Sequence, residues 1–327
     1  MKDKKQPFKY TSIGGSALIE GVMMRGDDRT AIALRKEDGG VLLKVESTPQ
    51  KKSWYKKVPI LRGIIGFIVS MILSYKCLMY SADVATRMEQ EPPPVKKSEK
   101  ALVKFMESGG MQVLSVIAMV LGVALALLLF IFLPAAIIEP LSLPDWGKVI
   151  MESVMKIVIF LLYLIWCSNS KEIKRVFQYH GAEHKTIFCF EHNQPLTPQN
   201  AAAFKRFHPR CGTSFLFLSI IVGIIISMFI TWDNVWIRVA LKVVTLPLVV
   251  GIAYEFIKLA GKYDNLAVRI ISAPGLWFQR LTTKEPDYSQ LEIAIIALRG
   301  VLEQFPTGVE PERGEDGEFK PAENAAG

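Results

Sequence analysis

GGMQVLSVIAMVLGVALALLLFIFLPAAII, residues 109–138, decides the class of this protein. It runs for 30 residues without a charge, and roughly 20 apolar residues suffice to cross the hydrocarbon core of a bilayer. A purely soluble protein is excluded. Downstream, FLFLSIIVGIIISMFITW (215–232) is equally free of charge. Residues 149–168 carry Glu152 and Lys156, and residues 238–258 carry Arg238 and Lys242 at one end and Glu255 and Lys258 at the other. Long basic side chains near helix ends reach back toward the interface. The connections 139–148 and 233–237 are short, so the sequence predicts two membrane hairpins, 111–168 and 215–260.

The segment 58–82 is apolar but mixed with Arg62, Lys76, serines and tyrosines. Charge distribution orients it. Residues 1–62 hold 14 Lys and Arg, 83–110 hold five and 168–214 hold seven. Cytoplasmic loops collect basic residues, so residues 1–57, 83–110, 169–214 and the C-terminus are expected on the cytoplasmic side. Both flanks of 58–82 then lie on one side, which favours a re-entrant or interfacial helix over a span. The expected fold is a mainly α-helical integral membrane protein with about four transmembrane helices, one re-entrant or interfacial helix and a small N-terminal β unit.

Outside these segments the chain is polar enough for water. Half of the 327 residues are hydrophobic, the mean hydropathy is +0.28 and the net charge is +8. The positive excess fits cytoplasmic flanks. There is no Arg-rich run, recognition-helix pattern or zinc-finger spacing, so nucleic acid is not an expected partner. The four cysteines form no CxxC pair and suggest no disulfide framework. The basic N-terminus is not followed by an apolar core and does not read as a signal peptide.

Within 1–57, SALIEGVMM reads as one strand, and TAIALRK and VLLKVES as two more joined by a turn at 37–40. Residues 91–100 read as a Pro- and charge-rich linker within 83–110. In 261–305, the stretch 273–281 suits an interfacial segment with Trp277 at headgroup level. Residues 289–304 form an amphipathic helix whose face is Leu291, Ala294, Ile295, Leu298, Val301 and Leu302, with Ser289 and Glu292 as a capping box. The acidic tail 306–327 reads as disordered.

All four histidines fall between 180 and 208. QYHGAEHKT (178–186) contains His180, Glu183 and His184 as H-x-x-E-H. On a helix, positions i and i+4 share a face, so both imidazoles can reach one metal while Glu183 lies beside them as a base. RFHPRCGTS (206–214) offers His208 and Cys211 as further ligands and Arg210 as an anion holder. Three protein ligands and an open position make a catalytic zinc site, so the count suffices for a divalent metal, zinc above all. Glu255, 71 residues after His184, resembles the distant carboxylate ligand of inverted zincins. The same residues also admit a plainer reading, since histidines and arginines at a membrane surface bind headgroups or pair with acids. Gly181 weakens the helix by roughly 1 kcal/mol against Ala, and His192 reads as an ordinary turn residue. GGSALIEGVMMRG (14–26) brackets Glu20 and Arg25 with glycines. Glu20 either joins the histidine site or forms a structural pair with Arg25. No phosphate loop, dinucleotide fingerprint or serine-nucleophile elbow is present.

GGSALIEGVMMRG, QYHGAEHKTIFCFE, FHPRCGTSF and PGLWFQRLTTKEPD together resemble the YqhQ family of bacterial membrane proteins of unknown function. The resemblance runs over about residues 10–305, and departs at Ser16 and Asp27, neither of them a candidate ligand. It implies a multi-pass protein of the bacterial cytoplasmic membrane and carries the family's description as metal-dependent enzymes. Two functions are expected from the whole. The first is a metal-dependent hydrolase with ligands His180, His184, His208 and Cys211 and catalytic Glu183, Arg210 and Glu20. It would act at the cytoplasmic face on a lipid-linked or other membrane-associated substrate. The second is a scaffold or biogenesis factor for partner membrane proteins. The few charges in the spans argue against a pump or channel.

Overall fold

Apolar residues run almost unbroken through the segments between Gly14 and Ser47, as in strands buried on both faces. The computed structural model describes residues 11–36, 38–48, 54–88, 111–209, 211–230, 234–262, 266–304 and 312–313. Four strands, β1 (Gly14–Leu18), β2 (Gly21–Arg25), β3 (Arg29–Arg35) and β4 (Val41–Ser47), form an antiparallel meander, with β5 (Glu312–Arg313) pairing parallel to β4. The helices follow as α1 (Leu61–Met88), α2 (Met111–Leu127), α3 (Leu133–Ile138), α4 (Asp145–Ser168), α5 (Lys171–Glu191), α6 (Pro198–Ala202), α7 (Gly212–Ser227), α8 (Val235–Lys262), α9 (Leu266–Thr282) and α10 (Tyr288–Val301). A π-helical turn, Leu128–Phe132, joins α2 to α3 ahead of Pro134. The linker 91–100 and the tail 306–327, apart from β5, lie outside the described residues.

SALIEGVMM is two strands rather than one. The chain reverses at Ile19–Glu20, placing Leu18 opposite Gly21 and Gly15 opposite Met24. Glu20 takes a φ of +53°, a left-handed conformation uncommon outside glycine. Contacts from α5, described below, hold it there.

Two compact units make up the chain, residues 1–88, 165–219 and 250–327 in one, and 89–164 and 220–249 in the other. In the first, the sheet is covered on both sides. Leu18, Met23, Ile32, Leu34 and Leu42 pack on Cys77, Tyr80 and Val84 of α1. The opposite face, with Val22, Met24, Ala31, Ala33 and Leu43, packs on Tyr179 and Ala182 of α5 and on α10. Helix α10 is therefore a core helix. Besides the expected face, Ile293, Ile296 and Ala297 are buried. Its cap also differs from Ser289–Glu292. Asp287 accepts from the Gln290 backbone N–H at 2.8 Å, and Gln290 Oε1 accepts from the Asp287 N–H at 3.0 Å. The box lies two residues earlier because Asp287, not Ser289, precedes the first helical residue.

Four helices among the described residues are long and apolar enough to cross a membrane: Leu61–Thr86, Val116–Ile138, Asp145–Ser168 and Trp236–Leu259. Gly212–Ser227 is a shorter apolar helix. By length and composition, the stretch expected to be re-entrant is one of the four, and the shorter helix overlaps 215–232.

In the second unit, charges expected to reach water are buried. Glu152, Arg238 and Lys242 are only 5%, 6% and 7% exposed. Lys242 bonds Glu152, and Arg238 bonds Glu139 and approaches Glu152 Oε1 at 3.5 Å. Lys148 lies 3.7 Å from Glu139. The charges stay inside because α4 and α8 bring opposite signs together. The sparse intramembrane charge read from the sequence is thus a compact network.

Candidate metal centre

The site is built on α5. Its helical period puts His180 and His184 one turn apart on one face, with ring centroids 4.5 Å apart. Gly181, a weak helix former between them, is required by close approach. A Cβ there would stand 2.1 Å from the Lys284 carbonyl oxygen and 3.3 Å from Pro286 Cδ. The segment after α9 crosses α5 at that point, and Lys284 N–H bonds the Phe177 carbonyl at 2.8 Å.

That crossing fixes the ligand geometry. His180 Nδ1 donates to the Thr282 carbonyl at 2.9 Å, and His184 Nδ1 donates to the Arg206 carbonyl at 2.5 Å. A carbonyl can only accept, so each Nδ1 bears a proton and each Nε2 is left as the atom that could coordinate an ion. Hydrogen bonds of this kind orient metal-ligating histidines. His180 Nε2 lies 3.2 Å from Cys211 Sγ. The ligand atoms of His180, His184 and Cys211 all lie within 4.8 Å of one another, and together they could hold a metal ion.

Electrostatics favour an ionised sulfur. Burial opposes the thiolate, but His180 and His184 together outweigh it and bring the Cys211 thiol well below its usual range. Cys211 immediately precedes α7, where the helix dipole favours negative charge. The Thr213 N–H donates to Sγ at 3.4 Å, and Thr213 Oγ1 lies 3.2 Å away. Burial likewise opposes charge on His180. The Cys211 sulfur, Glu183 and the Thr282 carbonyl overcome it and push His180 up to about 9. Without a metal, an imidazolium–thiolate pair holds a proton between Nε2 and Sγ.

Glu183 is 5% exposed and lies within electrostatic reach of both histidines and of Cys211. Burial pushes its carboxyl up, and His184 and His180 pull it back down. Its Oε2 is buried with no hydrogen-bond partner among the described residues. An orphaned buried carboxylate oxygen calls for a donor or a cation. Strand β1 closes in behind it: a Cβ on Gly15 would come within 3.0 Å of Glu183 Cδ and Oε1. Two imidazoles and a thiolate fit a borderline-soft divalent cation, with this oxygen beside them.

The other expected site residues lie nearby in different roles. His208 is buried, its ring 5.5 Å from that of His184 and 4.5 Å from that of Phe188. Its Nε2 faces Glu191 Oε2 at 3.7 Å, outside the three-ligand group. Glu20 does not pair with Arg25. Its carboxylate takes a fork from Arg175, with Nη2 at 2.6 Å, and the Tyr179 hydroxyl at 3.2 Å, pinning the β1–β2 turn to α5. Glu255 is taken by Arg62 Nε at 2.7 Å and the Ile60 N–H at 3.2 Å. His192 caps α5, its Nδ1 donating to the Phe188 carbonyl at 2.8 Å. Arg210 lies outside the described residues.

Several residues that hold the site carried no motif. Gln279 receives the His208 N–H and returns a bond to its carbonyl, both at 2.7 Å, and donates to Ser214 at 3.1 Å. Glu285 pairs with buried Lys185 and with Arg206 at 3.3 Å. Gln279, Thr282, Lys284 and Glu285 all belong to PGLWFQRLTTKEPD, so that stretch clamps the His180–His184–Cys211 cluster from behind.

The chain belongs to the family described as Protein of unknown function (DUF1385), whose match covers residues 58–304. It is similar to the uncharacterized protein YqhQ of Bacillus subtilis (strain 168), with 34% identity over 306 residues, covering 92% of this chain and 95% of that protein. No solved structure matches it.

Proposed function

We propose that this protein is a metal-dependent hydrolase of the bacterial cytoplasmic membrane, with zinc at its cytoplasmic face. The observation that carries the reading is the pairing of two Nδ1-anchored histidines and a thiolate with the orphaned Glu183 Oε2. His180, His184 and Cys211 would hold the ion, leaving a position open beside Glu183. When bound, a divalent cation supplies Lewis acidity and makes water a competent nucleophile near neutral pH. The chain's own contribution is positional and protic. Thr282 and Arg206 aim the imidazoles. Glu183 takes a proton at Oε2 and returns it to a leaving group, a role that its raised, buried carboxyl suits. Cys211 adjoins the first residue of apolar α7, which supports a substrate associated with the membrane.

A scaffold would need accessible surfaces for its partners, such as the basic cytoplasmic face, the helix within 289–304 or the acidic tail, and of these the helix is built into the core as α10. The hydrolase reading is tested by incubating isolated membranes with the purified metal-loaded protein in heavy-oxygen water. Wild type is expected to introduce the label into a membrane-derived product, and Glu183→Gln is expected not to. Equal labelling by both would rule out Glu183 as the base, and labelling by neither would rule out hydrolysis of a membrane component.

A further inference from the structure

The charges of the second unit form a group of their own. Among the described residues, Lys148, Arg238 and Lys242 pair with two carboxylates, Glu139 and Glu152, and Lys156 lies within electrostatic reach of Glu152, four cations to two anions. The glutamates are engaged with Arg238, Lys242 and Lys148. Lys156, half-buried one turn beyond Glu152, is within electrostatic reach of Lys242 and Glu152 but has no ion pair or hydrogen bond among the described residues. Arg238 Nε is buried and also lacks a hydrogen-bond partner among them. Lys156 and the Nε of Arg238, both in this unit, are thus cationic donors without an acceptor among the described residues, and Lys242 adjoins the first of them.

Their depth sharpens the point. Trp146 and Trp236 open α4 and α8 and are 67% and 66% exposed, as expected of tryptophans at a membrane interface. At 1.5 Å per residue, Lys242 lies about 9 Å beyond Trp236 and Lys156 about 15 Å beyond Trp146. Helical side chains lean toward the helix N-terminus, which returns the Lys156 ammonium to the level of Glu152 and Lys242. An uncompensated cation at that depth is costly, and intramembrane charges mark binding sites and pathways.

We infer that Arg238, Lys242 and Lys156 form an oxyanion site within the membrane unit, suited to a phosphate group. Arginine beside lysines offers the fork and point charges that phosphate oxygens accept. The phosphate comes either from a phospholipid headgroup drawn below the interface or from inorganic phosphate.

The full-length protein, delipidated in a maltoside detergent that carries no phosphate, is compared alone, with added phosphatidylglycerol, and with added inorganic phosphate against chloride. Melting temperature and the lipid retained in native mass spectrometry are read together. A higher melting temperature with one retained phosphatidylglycerol assigns the site to a headgroup, and a rise with inorganic phosphate alone assigns it to the free ion. Lys156→Gln should weaken the effective probe at least about tenfold, the loss of one charge-assisted hydrogen bond, and Lys156→Arg should retain it. The inference is overturned if neither probe stabilises wild type beyond its control, or if Lys156→Gln responds as wild type does. The wild-type comparison decides alone if the glutamine variant does not fold.

Discussion

Replacing Gly181 with Ala sets two forces against each other. Helix propensity favours Ala by about 1 kcal/mol. Against this, the added Cβ would lie 2.1 Å from the Lys284 carbonyl oxygen, a backbone atom that cannot rotate away. Overpacking of this kind costs about 1–3 kcal/mol. Displacing the segment also breaks the Lys284–Phe177 hydrogen bond, another ~1 kcal/mol. The balance is a net destabilisation of about 1–3 kcal/mol, opposite in sign to propensity. For a unit of this size that lowers the melting temperature by about 3–10 °C. The same displacement takes the Thr282 carbonyl from His180 Nδ1, and losing such an outer partner weakens metal affinity about 10–100-fold. Thermal unfolding in detergent and competitive metal titration measure both effects. An alanine variant that melts at or above the wild-type temperature and keeps its metal affinity would refute the crossing of α5 by residues 284–286 and its role in aiming His180.

Four further outcomes are expected. Because His180 titrates near 9 while Cys211 is already ionised, metal binding displaces about one proton. Affinity should therefore rise about tenfold per pH unit up to about 9 and level off above it, as a buffered-metal titration would record. For the metal-free fold the sign is the reverse. The raised His180 contributes stability that is complete below its unfolded value near 6.5 and is lost as pH rises through about 9. Glu183→Gln should keep its metal while turnover falls about 10²–10⁴-fold, and a metal-free variant would instead make Glu183 a ligand. Lys242→Met removes one partner of buried Glu152 and should cost about 3–5 kcal/mol, so an unchanged melting temperature would place that pair in water.

Side-chain spacing made the centre of the site legible. His180, Glu183 and His184 fall on one face of a helix by period alone, and the next polar patch held two ligand-type residues, His208 and Cys211, of which only Cys211 joins the cluster. What no spacing shows is the backbone: the Thr282 and Arg206 carbonyls that fix the tautomers have no residue-type signature. Residues 273–281, the first part of the clamp, read as an interfacial segment because Trp277 dominates their pattern, while Gln279 and Glu285 act through folded-state partners. The strand break at Glu20 was hidden because its turn is held by Arg175, 155 residues away, rather than by an Asn-Gly pair. The face of α10 was readable, but its full burial was not, since a helix between sheet and helix needs few polar positions. The charges of α4 and α8 looked like independent helix-end groups because their pairing depends on which spans adjoin.

The central claim is that His180, His184 and Cys211 bind a metal, and elemental mass spectrometry of the detergent-purified protein tests it most directly. Wild type, prepared without chelator, is predicted to carry about one divalent metal per chain, with zinc prevailing. A His180→Ala/His184→Ala variant of equal helicity is predicted to carry none. Absence of stoichiometric metal from wild type, or equal metal in the variant, would contradict the account.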